Sequence, residues 1–363
     1  MNLYPFNSER LNSIKAAYST RRVDLSKIAT ILKGNVKPQV GDLVLAKIDK
    51  IGQHTRIELA SGRKAQLFPG DEIIVSYGNR YAPDQFEAII PEDLSPCHLV
   101  AAGGLASTML SKHTKISSAT TITPLGLLGD GNGKRMNLKD WTLAATSYIG
   151  QLPPTIAVVG TSMNSGKTTT VANLIKGLRL SGLKVGAAKI TGTGAGGDIW
   201  LMKDAGANLA LDFTDMGFPS TYKLSCEKIK QIFLTLTHYL AAQEMDVIIL
   251  EIADGLYQEE TAALVSSATF RQGVQGVLFA ANSALGATAG QQWLKQYQLP
   301  LLGISGTLTM SPLAMKEAVN ATGLPIFTRQ QLQQAAIELI LHPQKSNYPF
   351  TTTLGDNKKF QMC

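Results

Sequence analysis

The feature that constrains the fold most is one continuous stretch in which an apolar run leads into a glycine-bounded loop and then into an amphipathic segment. It reads IAVVGTSMNSGKTTTVANLIKGL and begins at Ile156. A short apolar run bounded by glycine predicts a buried strand, and apolar residues at helical spacing after position 167 predict a helix. The loop between Gly160 and Gly166 therefore joins a buried strand to the start of a helix.

The alternation of strand and helix continues through the rest of the chain. Strands are predicted at 156–159, 184–190, 208–213, 246–250, 275–280 and 300–304, and helices at 167–181, 197–206, 226–243, 286–297, 311–321 and 329–341. This alternation predicts an α/β fold with a mainly parallel sheet and helices on both faces. Ligands of such sheets bind beyond the carboxyl ends of the strands, where the loop after Gly160 is expected to lie.

This loop and the start of the helix are suited to hold phosphate groups. Backbone N–H groups and the helix N-terminus meet phosphate oxygens, Lys167 adds positive charge, and the Thr168 hydroxyl is a ligand for Mg²⁺. The residues predicted to bind a nucleotide are Gly160, Thr161, Asn164, Ser165, Gly166, Lys167, Thr168 and Thr169. The alternative is an ordinary glycine turn between strand and helix, but packing does not explain Gly-Lys-Thr-Thr at a helix start.

Charged residues end two other predicted strands. Glu251 ends the run DVIILE, Asp254 follows three residues later, and Lys189 ends KVGAAK. An acid at the end of a neighbouring parallel strand lies on the correct side to meet Mg²⁺, and a lysine there neutralises a phosphoryl group or holds a substrate carboxylate. The alternatives are an acid at an ordinary strand end, an acid that caps a helix, and a lysine whose stem packs while its ammonium reaches water.

The motifs in 155–330, a little under half of the chain, resemble those of the dethiobiotin synthetase group of P-loop enzymes. Five residues separate Gly160 from Gly166, whereas the ordinary Walker A pattern has four. The loop of that group is similar, with GT followed by four variable residues and GKT.

Two further segments carry the resemblance. The residues EIADGL at 251–256 resemble the family's E-G-A-G-G-L, with Ile252 and Asp254 replacing two small residues. The family also has a lysine from the second strand in its site, at the position of Lys189. Because of the two replacements and an N-terminal half that the family lacks, we expect a different substrate specificity.

The resemblance implies an enzyme that depends on Mg²⁺ and ATP, a ligase or phosphotransferase. It would activate a small carboxylate or carbamate by phosphoryl transfer before ring closure or amide formation. The implied catalytic residues are Lys167, Lys189 and Glu251, with Thr168 and Glu251 as metal ligands. GTP stays open as the nucleotide, because the predicted base loop at 305–307 lacks the family's asparagine.

The loops that follow the second and third strands are predicted to contact the substrate. The candidate residues are Asp198, Asp212, Ser220 and Thr221. The same region contains a G-x-G-x-x-G pattern at 192–197, but the first strand already provides the nucleotide loop, so we interpret the pattern as a substrate loop. It also loosely resembles a P-loop family associated with D-amino-acid N-acetylation, and in part guanine-nucleotide accessory proteins of molybdenum-cofactor synthesis. Helix caps and turns are the structural alternatives.

The N-terminal half has a different pattern. Helical spacing of apolar residues comes first, followed by short β-type runs that Ser61-Gly62 and Pro69-Gly70 separate. The predicted divisions are a helical segment at 1–40, a small β-barrel-like domain at 41–96, a glycine-rich connecting region at 97–152, the nucleotide-binding domain at 153–345 and a tail at 346–363.

Composition excludes several classes of protein. Lysine and arginine total 34 against 27 acids, but the net charge of +7 is dispersed, which argues against a nucleic-acid partner. Three cysteines without a pairing pattern indicate a reducing compartment, and the opening residues lack the basic-then-apolar pattern of a signal peptide. The sequence contains no apolar run of membrane-spanning length. We therefore expect a cytoplasmic protein without a membrane partner. The histidines show no metal-binding or nucleophile spacing.

Two functions compete with the small-molecule ligase. One is a regulatory or accessory NTPase whose nucleotide state controls a protein partner, with the barrel-like domain as its interaction module. The other is a nucleic-acid-associated ATPase. For each of these functions we expect a homodimer.

Overall fold

The computed structural model describes residues 2–341 except 145, 147 and 149. The N-terminal part is built on a large sheet whose strands are joined by loops and short 3₁₀ turns. The strands are β1 Asn2–Pro5, β2 Lys15–Ala16, β3 Thr30–Lys33, β4 Leu43–Lys50, β5 Arg56–Glu58, β6 Lys64–Gln66, β7 Glu72–Tyr77, β8 Arg80–Tyr81, β9 Phe86–Ile89, β10 Cys97–Ala101, β11 Leu105–Lys112 and β12 Thr120–Gly129. The 3₁₀ turns are Ser8–Asn12, Tyr18–Thr20, Leu25–Lys27 and Leu138–Trp141.

Ten of these strands form one mainly antiparallel sheet, and β5 pairs only with β6. Within the large sheet β4, β7, β11, β10 and β12 pair in a closed circuit, in which only β7 and β11 are parallel. The small barrel-like domain predicted for 41–96 is therefore only part of what forms, because the circuit also includes β10, β11 and β12 from beyond residue 96. The sheet is larger and takes strands from all three of the predicted N-terminal segments.

The helix predicted within the first forty residues is wrong. This stretch instead contains β1, three 3₁₀ turns, β2 and β3. β1 pairs with β3 in antiparallel register from Asn2 opposite Lys33 to Pro5 opposite Thr30. Ile14 and Tyr18, whose spacing fits a helix, are buried, but Ile14 lies in a bend and Tyr18 begins a 3₁₀ turn. Tertiary pairing thus overrides a helical pattern that local propensity supports only weakly.

The C-terminal part matches the predicted α/β fold, with helices on both faces of a parallel sheet. Its strands are β13 Thr155–Gly160, β14 Val185–Lys189, β15 Leu209–Asp212, β16 Val247–Glu251, β17 Gly276–Ala280 and β18 Leu301–Ser305. Its helices are α1 Lys167–Leu180, α2 Gly197–Asp204, α3 Cys226–Ala242, α4 Glu259–Val265, α5 Ala268–Gly273, α6 Ala284–Gln296, α7 Pro312–Thr322 and α8 Arg329–Leu341, with 3₁₀ turns Phe213–Met216 and Thr307–Met310. The sequence did not predict α4 or α5.

The parallel sheet has the order β15-β14-β16-β13-β17-β18. Alternate residues of β13 enter different cores, Ile156 and Val158 on one face and Ala157 and Val159 on the other. Helices α1, α2 and α8 cover the first face, and α3 to α7 cover the second. Burial on both faces explains why these strands read as continuous apolar runs.

The N-terminal sheet packs against the end of the parallel sheet where the strands terminate. Contacts join it to the loop after β14, the end of β15 and the loop after β13. Among the described residues, no helix combines the length and apolarity needed to cross a bilayer. The predicted tail at 346–363 lies outside the described residues.

Candidate functional site

The loop after β13 has the shape that a phosphate site requires. A Cβ atom on Gly160 would lie 2.5 Å from Ser165 Oγ and 2.8 Å from the Ala280 carbonyl oxygen, so only glycine fits there. Gly166 has φ +98° immediately before α1, in the left-handed region that favours glycine. The loop is thereby held close to the first turn of α1, whose free N–H groups form an anion-binding end.

Lys167 lies within this loop rather than in solvent. Its side chain is buried, and Nζ donates a hydrogen bond of 2.8 Å to the Ser162 carbonyl oxygen. Burial lowers the pKa of Lys167, and the carboxylates of Glu251 and Asp254 act against that shift. The ammonium therefore bridges the loop at the position where a bound phosphate would meet it.

Thr168 and Glu251 come together as the sequence predicts. Thr168 Oγ1 lies 3.0 Å from Glu251 Oε1 and 3.2 Å from Asp198 Oδ1. Glu251 is almost fully buried, and burial together with the nearby Asp198 carboxylate raises its pKa to about 7. A hydroxyl and a carboxylate oxygen at the end of β16 thus face the start of α1.

Lys189 completes the cluster from the end of β14. Its ammonium forms an ion pair with Asp198 and lies 3.9 Å from Glu251 Oε1. Burial would raise the pKa of Asp198, but the Lys189 ammonium outweighs it and holds that pKa below its usual range. The same acids raise the pKa of Lys189 against the opposing effect of burial. The two lysines and two carboxylates form one electrostatic unit.

Three buried polar atoms around the loop have no hydrogen-bond partner among the described residues. They are Thr161 Oγ1, Ser165 Oγ and Glu251 Oε2. Leaving buried polar atoms unpaired is costly, so each of these atoms calls for a partner such as a ligand or an ordered water. The two hydroxyls suit phosphate oxygens, and the free Oε2 of Glu251, whose Oε1 meets Thr168, suits Mg²⁺.

The fit to magnesium is that of a metal shared with phosphate. Within the described residues, no group of three or more histidine, cysteine, aspartate or glutamate side chains is placed to hold a metal ion alone. Mg²⁺ in phosphate sites takes one or two protein oxygens and fills the rest of its octahedron with phosphate and water. Thr168 and Glu251 match that limited protein contribution.

A cavity adjoins the phosphate loop on the side of β18. Gly166, Thr169, Thr170, Ser305, Gly306, Thr307, Thr309, Met310, Arg329 and Leu332 line it. The Thr307 N–H donates to the Ser165 carbonyl oxygen at 2.9 Å, which fixes the loop after β18 against the phosphate loop. The predicted base loop at 305–307 and the predicted nucleotide residue Thr169 therefore border the same cavity.

The remaining predicted residues are divided between the site and other roles. Asn164 is exposed and donates a hydrogen bond of 2.6 Å to Asp84, in the turn between β8 and β9. Asp212 does not face the cluster, because its carboxylate accepts hydrogen bonds from Tyr18 Oη at 2.9 Å and from Arg21. Ser220 and Thr221 line a small cavity beside Asp254.

The N-terminal part makes two contributions to the site that the sequence did not predict, one from β5 and one from β8. Glu58 is buried, and its carboxylate accepts hydrogen bonds from Gly196 N at 2.9 Å and Trp200 Nε1 at 2.8 Å. Trp200 lies two residues after Asp198 on α2. Glu58 thus positions the helix that delivers Asp198, and nothing near Glu58 in the sequence signals that pairing.

Arg80 is the second contribution. It is buried, donates to the Val100 carbonyl oxygen and donates to Gln85 Oε1 at 2.7 Å. Burial lowers the pKa of Arg80 to about 10, with the Asp254 carboxylate acting in the opposite direction. A cation of the N-terminal sheet therefore interacts with the acid that follows β16.

Comparison with known proteins yields no assignment by sequence. No protein-family model matches the chain, and no curated protein matches it. Signal recognition particle receptor FtsY from Elizabethkingia anophelis, solved in complex with GDP, aligns at 15% identity and a TM-score of 0.37 over 55% of this chain and 68% of its own. Signal recognition particle 54 kDa protein from Aeropyrum pernix K1, also solved in complex with GDP, aligns at 20% identity and a TM-score of 0.36. That alignment covers 53% of this chain and 46% of the other.

A third solved structure is the kinase domain of Escherichia coli tyrosine kinase ETK, with 15% identity and a TM-score of 0.32 over 42% of this chain and 66% of its own. Similarity at these values does not transfer a function. The resemblance to dethiobiotin synthetases stays a prediction from the motifs.

Proposed function

We propose that the protein binds Mg²⁺ and a nucleoside triphosphate, ATP in the first instance, and transfers the terminal phosphoryl group to a small carboxylate or carbamate. One observation carries the proposal. A glycine-shaped loop, two buried lysines, a threonine hydroxyl and a carboxylate with an unpartnered oxygen converge at the ends of three adjacent parallel strands.

The residues divide the work by their chemistry. The loop N–H groups, Thr161 and Ser165 would bind the phosphate oxygens, and Lys167 would leave the Ser162 carbonyl to meet them. Thr168 and Glu251 would hold Mg²⁺, which neutralises charge on the phosphates when it is bound. Lys189 would offset the charge that develops on the transferred group, with Asp198 fixing its ammonium.

Calorimetric titration with ATP and Mg²⁺ tests the binding step. We expect Lys167→Ala to weaken binding or turnover by about 100-fold, as when one charge-stabilising donor is removed from a phosphoryl-transfer site. Lys176→Ala is the matched control, because Lys176 lies on the same helix and is exposed. Equal affinity together with equal turnover of the Lys167→Ala variant and wild type would contradict the proposal, and a parallel GTP titration decides the base preference.

The reaction is tested by ADP release. We expect slow release by the protein alone and faster release when the correct carboxylate or carbamate is added from a metabolite library. Release that no small molecule stimulates would remove the phosphoryl-transfer part of the proposal and leave the binding part standing.

A second candidate function is control of a partner or of a homodimer by the nucleotide. The observation that favours it is a group of exposed apolar side chains on segments that border the phosphate loop. These are Tyr257, Leu285, Met310 and Leu313, between 71% and 84% exposed. Sedimentation with and without nucleotide tests it, and an oligomeric state independent of nucleotide would contradict the homodimer form of this candidate.

A further inference from the structure

A cavity of about 390 Å³ lies at the junction of the N-terminal part with α2 and β15, and we call it the junction cavity. From the N-terminal part, Tyr18 and Ala60 are among the residues that line it. From the C-terminal part, residues of α2, of β15 and of the turn after β15 line it. Among the described residues that form its lining, none belongs to the phosphate site. A volume in this range is typical of sites for small organic molecules.

Apolar and aromatic side chains form a large part of this lining. Ile199 and Leu209 contribute aliphatic surface, and Trp200 contributes an indole ring. The ring is held in place, because its Nε1 donates a hydrogen bond of 2.8 Å to Glu58 and a Cβ atom on Gly62 would lie only 2.8 Å from it. A fixed indole beside aliphatic side chains suits the ring of an aromatic ligand.

Three cations and one carboxylate also line the junction cavity. The cations are Arg21, Arg22 and Lys203, and the carboxylate is that of Asp215. Arg21 is already engaged, since its Nη2 lies 2.7 Å from Asp215 Oδ1 and 3.3 Å from Oδ1 of Asp212, which does not line the cavity. Three cations against these two acids leave an excess of one positive charge.

The least engaged of these cations are Arg22 and Lys203. Arg22 Nε donates a hydrogen bond of 2.9 Å to the Trp141 carbonyl oxygen, but its Nη1 lies 3.5 Å from Asp215 Oδ1 and its side chain is 36% exposed. Lys203 is exposed and forms no ion pair with a described acid, and its ammonium lies 4.6 Å from the centre of the Trp200 ring. A guanidinium and an ammonium are therefore available on the residues that line the cavity with the indole.

The other acids of this region do not cancel that charge. Glu58 accepts hydrogen bonds from Gly196 N and Trp200 Nε1, and its cross-strand partner on β6 is Lys64. Asp204 follows Lys203 in the chain, but it is exposed and does not line the cavity, so solvent and salt screen its charge. The junction cavity therefore attracts an anion.

We propose that the junction cavity binds a small organic anion with an aromatic ring. Arg22 and Lys203 bind its carboxylate or phosphate group, and its ring lies against Trp200. Since the site is separate from the phosphate site, the inference goes beyond the proposed function and does not depend on it. A guanidinium and an ammonium bind carboxylate and phosphate groups alike, so the experiment has to distinguish these two head groups.

Calorimetry without nucleotide tests the binding. The probes are 2-naphthoate and 2-naphthyl phosphate. Their counterparts are 2-naphthylmethanol, which keeps the ring without the charge, and acetate or inorganic phosphate, which keeps the charge without the ring. We expect at least one naphthyl anion to bind about tenfold more tightly than its counterparts, and the tighter of the two anions identifies the head group. Equal binding of that anion and its counterparts, or no binding of either anion at millimolar concentration, overturns the inference.

Variants then locate the site. Lys203→Gln should weaken the affinity for that anion about fivefold, the effect of losing one exposed charge pair. Ala60→Phe should weaken it more, because a phenyl group at this exposed lining position occupies the cavity. Lys316→Gln is the matched control and should bind as wild type does, since Lys316 is exposed on α7, on the face of the parallel sheet opposite to α2. Unchanged affinity in either cavity variant, with folding verified by circular dichroism, overturns the location.

The Lys167→Ala variant separates the junction cavity from the phosphate loop. Because Lys167 does not line the junction cavity, this variant should bind the naphthyl anion as wild type does. Loss of anion binding in Lys167→Ala, together with its retention in Lys203→Gln, would place the anion in the phosphate loop and overturn the inference. Anion binding that depends on Lys203 and not on Lys167 supports the inference even if ATP does not bind, so the two proposals fail independently.

Discussion

Both sheets bury carboxylates, but they treat them differently. In the N-terminal sheet, Asp42 is fully buried and accepts hydrogen bonds from Gln39 N at 2.9 Å, Arg135 at 2.8 Å and Asn137 at 2.9 Å. In the parallel sheet, Glu251 is equally inaccessible, yet one of its oxygens has no partner among the described residues. The oxygens of Asp42 are all bonded within the fold, whereas Glu251 keeps one oxygen that can accept a ligand.

The difference separates structural from functional burial. A buried carboxylate with all its bonds made contributes to folding, and removing it leaves its donors unpaired. A buried carboxylate with a free oxygen lowers stability and is retained where a ligand completes it. Substitution of Asp42 should therefore lower stability and leave ligand binding little changed. Substitution of Glu251 should weaken ligand binding and leave stability little changed.

The largest expected effect is on the N-terminal sheet. Asp42→Ala removes the acceptor of Arg135 and Asn137 inside the core and should lower the free energy of unfolding by about 3 kcal/mol, as when one partner of a buried pair is deleted. Urea denaturation followed by tryptophan fluorescence measures it. Asp49→Ala, an exposed acid on β4, should change stability by less than about 0.5 kcal/mol. Similar losses for both variants would break the comparison.

The next effect concerns Glu251. Glu251→Gln should weaken Mg²⁺ binding in the presence of a non-hydrolysable ATP analogue by about tenfold or more, since a ligand charge is lost. Its free energy of unfolding should stay within about 1 kcal/mol of wild type, because the amide removes an incompletely paired buried charge. Glu259→Gln, on an exposed position of α4, is the control. A large loss of stability without a loss of metal affinity would show that Glu251, like Asp42, contributes to folding and not to metal binding.

Glu58 sharpens the comparison, because both donors to its carboxylate, Gly196 N and Trp200 Nε1, come from the C-terminal part of the molecule. Glu58→Gln keeps one acceptor but sets an amide N–H group against a donor, which should cost about 1–2 kcal/mol of stability. The same change should reduce ATP turnover modestly, because Glu58 orders the helix that carries Asp198. Glu92→Gln, whose side chain is 82% exposed in its ion pair with Lys37, should alter neither quantity. Lost stability with unchanged turnover would show that the contact does not position Asp198.

The smallest effect is a pH dependence confined to the N-terminal sheet. His54 is half-buried, its Nε2 lies 2.8 Å from the Val100 carbonyl oxygen, and burial lowers its pKa to about 4. The unfolded chain therefore takes up a proton at this site as the pH falls through 6.5, while the native chain stays neutral until about pH 4. Stability should fall across that window by about 1–2 kcal/mol after allowance for partial exposure.

His54→Gln provides the control for that titration. The variant lacks the imidazole, so its stability should fall less between pH 6.5 and 4 than that of wild type. The free energy of unfolding is measured by urea denaturation at pH 6.5 and at pH 4. An equal loss between the two pH values in the variant and in wild type would show that His54 does not contribute.

The part of the molecule that sequence analysis predicted well is the part with local signals. Each predicted strand and helix of the parallel sheet forms, because a buried strand followed at once by a helix leaves its pattern in one short window. Thr168, Lys189 and Glu251 were also expected to converge, since parallel strands bring their ends to one edge. The amino acids that end those strands therefore specify much of the site.

The rest depends on residues far apart in the chain. The pairing of β10 with β12, or of β1 with β3, reflects contacts that no local pattern encodes, so the N-terminal sheet was predicted as three separate segments. Asp212 illustrates the same limit within the site. It ends a strand beside Lys189, as predicted, yet Tyr18 and Arg21 from the other half occupy its carboxylate.

Helix α2 has a consequence for how the protein is divided in experiments. Its second residue, Asp198, pairs with Lys189. Its fourth residue, Trp200, donates a hydrogen bond to Glu58, which lies 142 positions earlier in the chain. A truncated chain starting at Pro153 would keep the glycine loop but lose the hydrogen bonds from Gly196 and Trp200 to Glu58. Such a fragment should therefore keep more of its nucleotide affinity than of its turnover, each compared with the full chain.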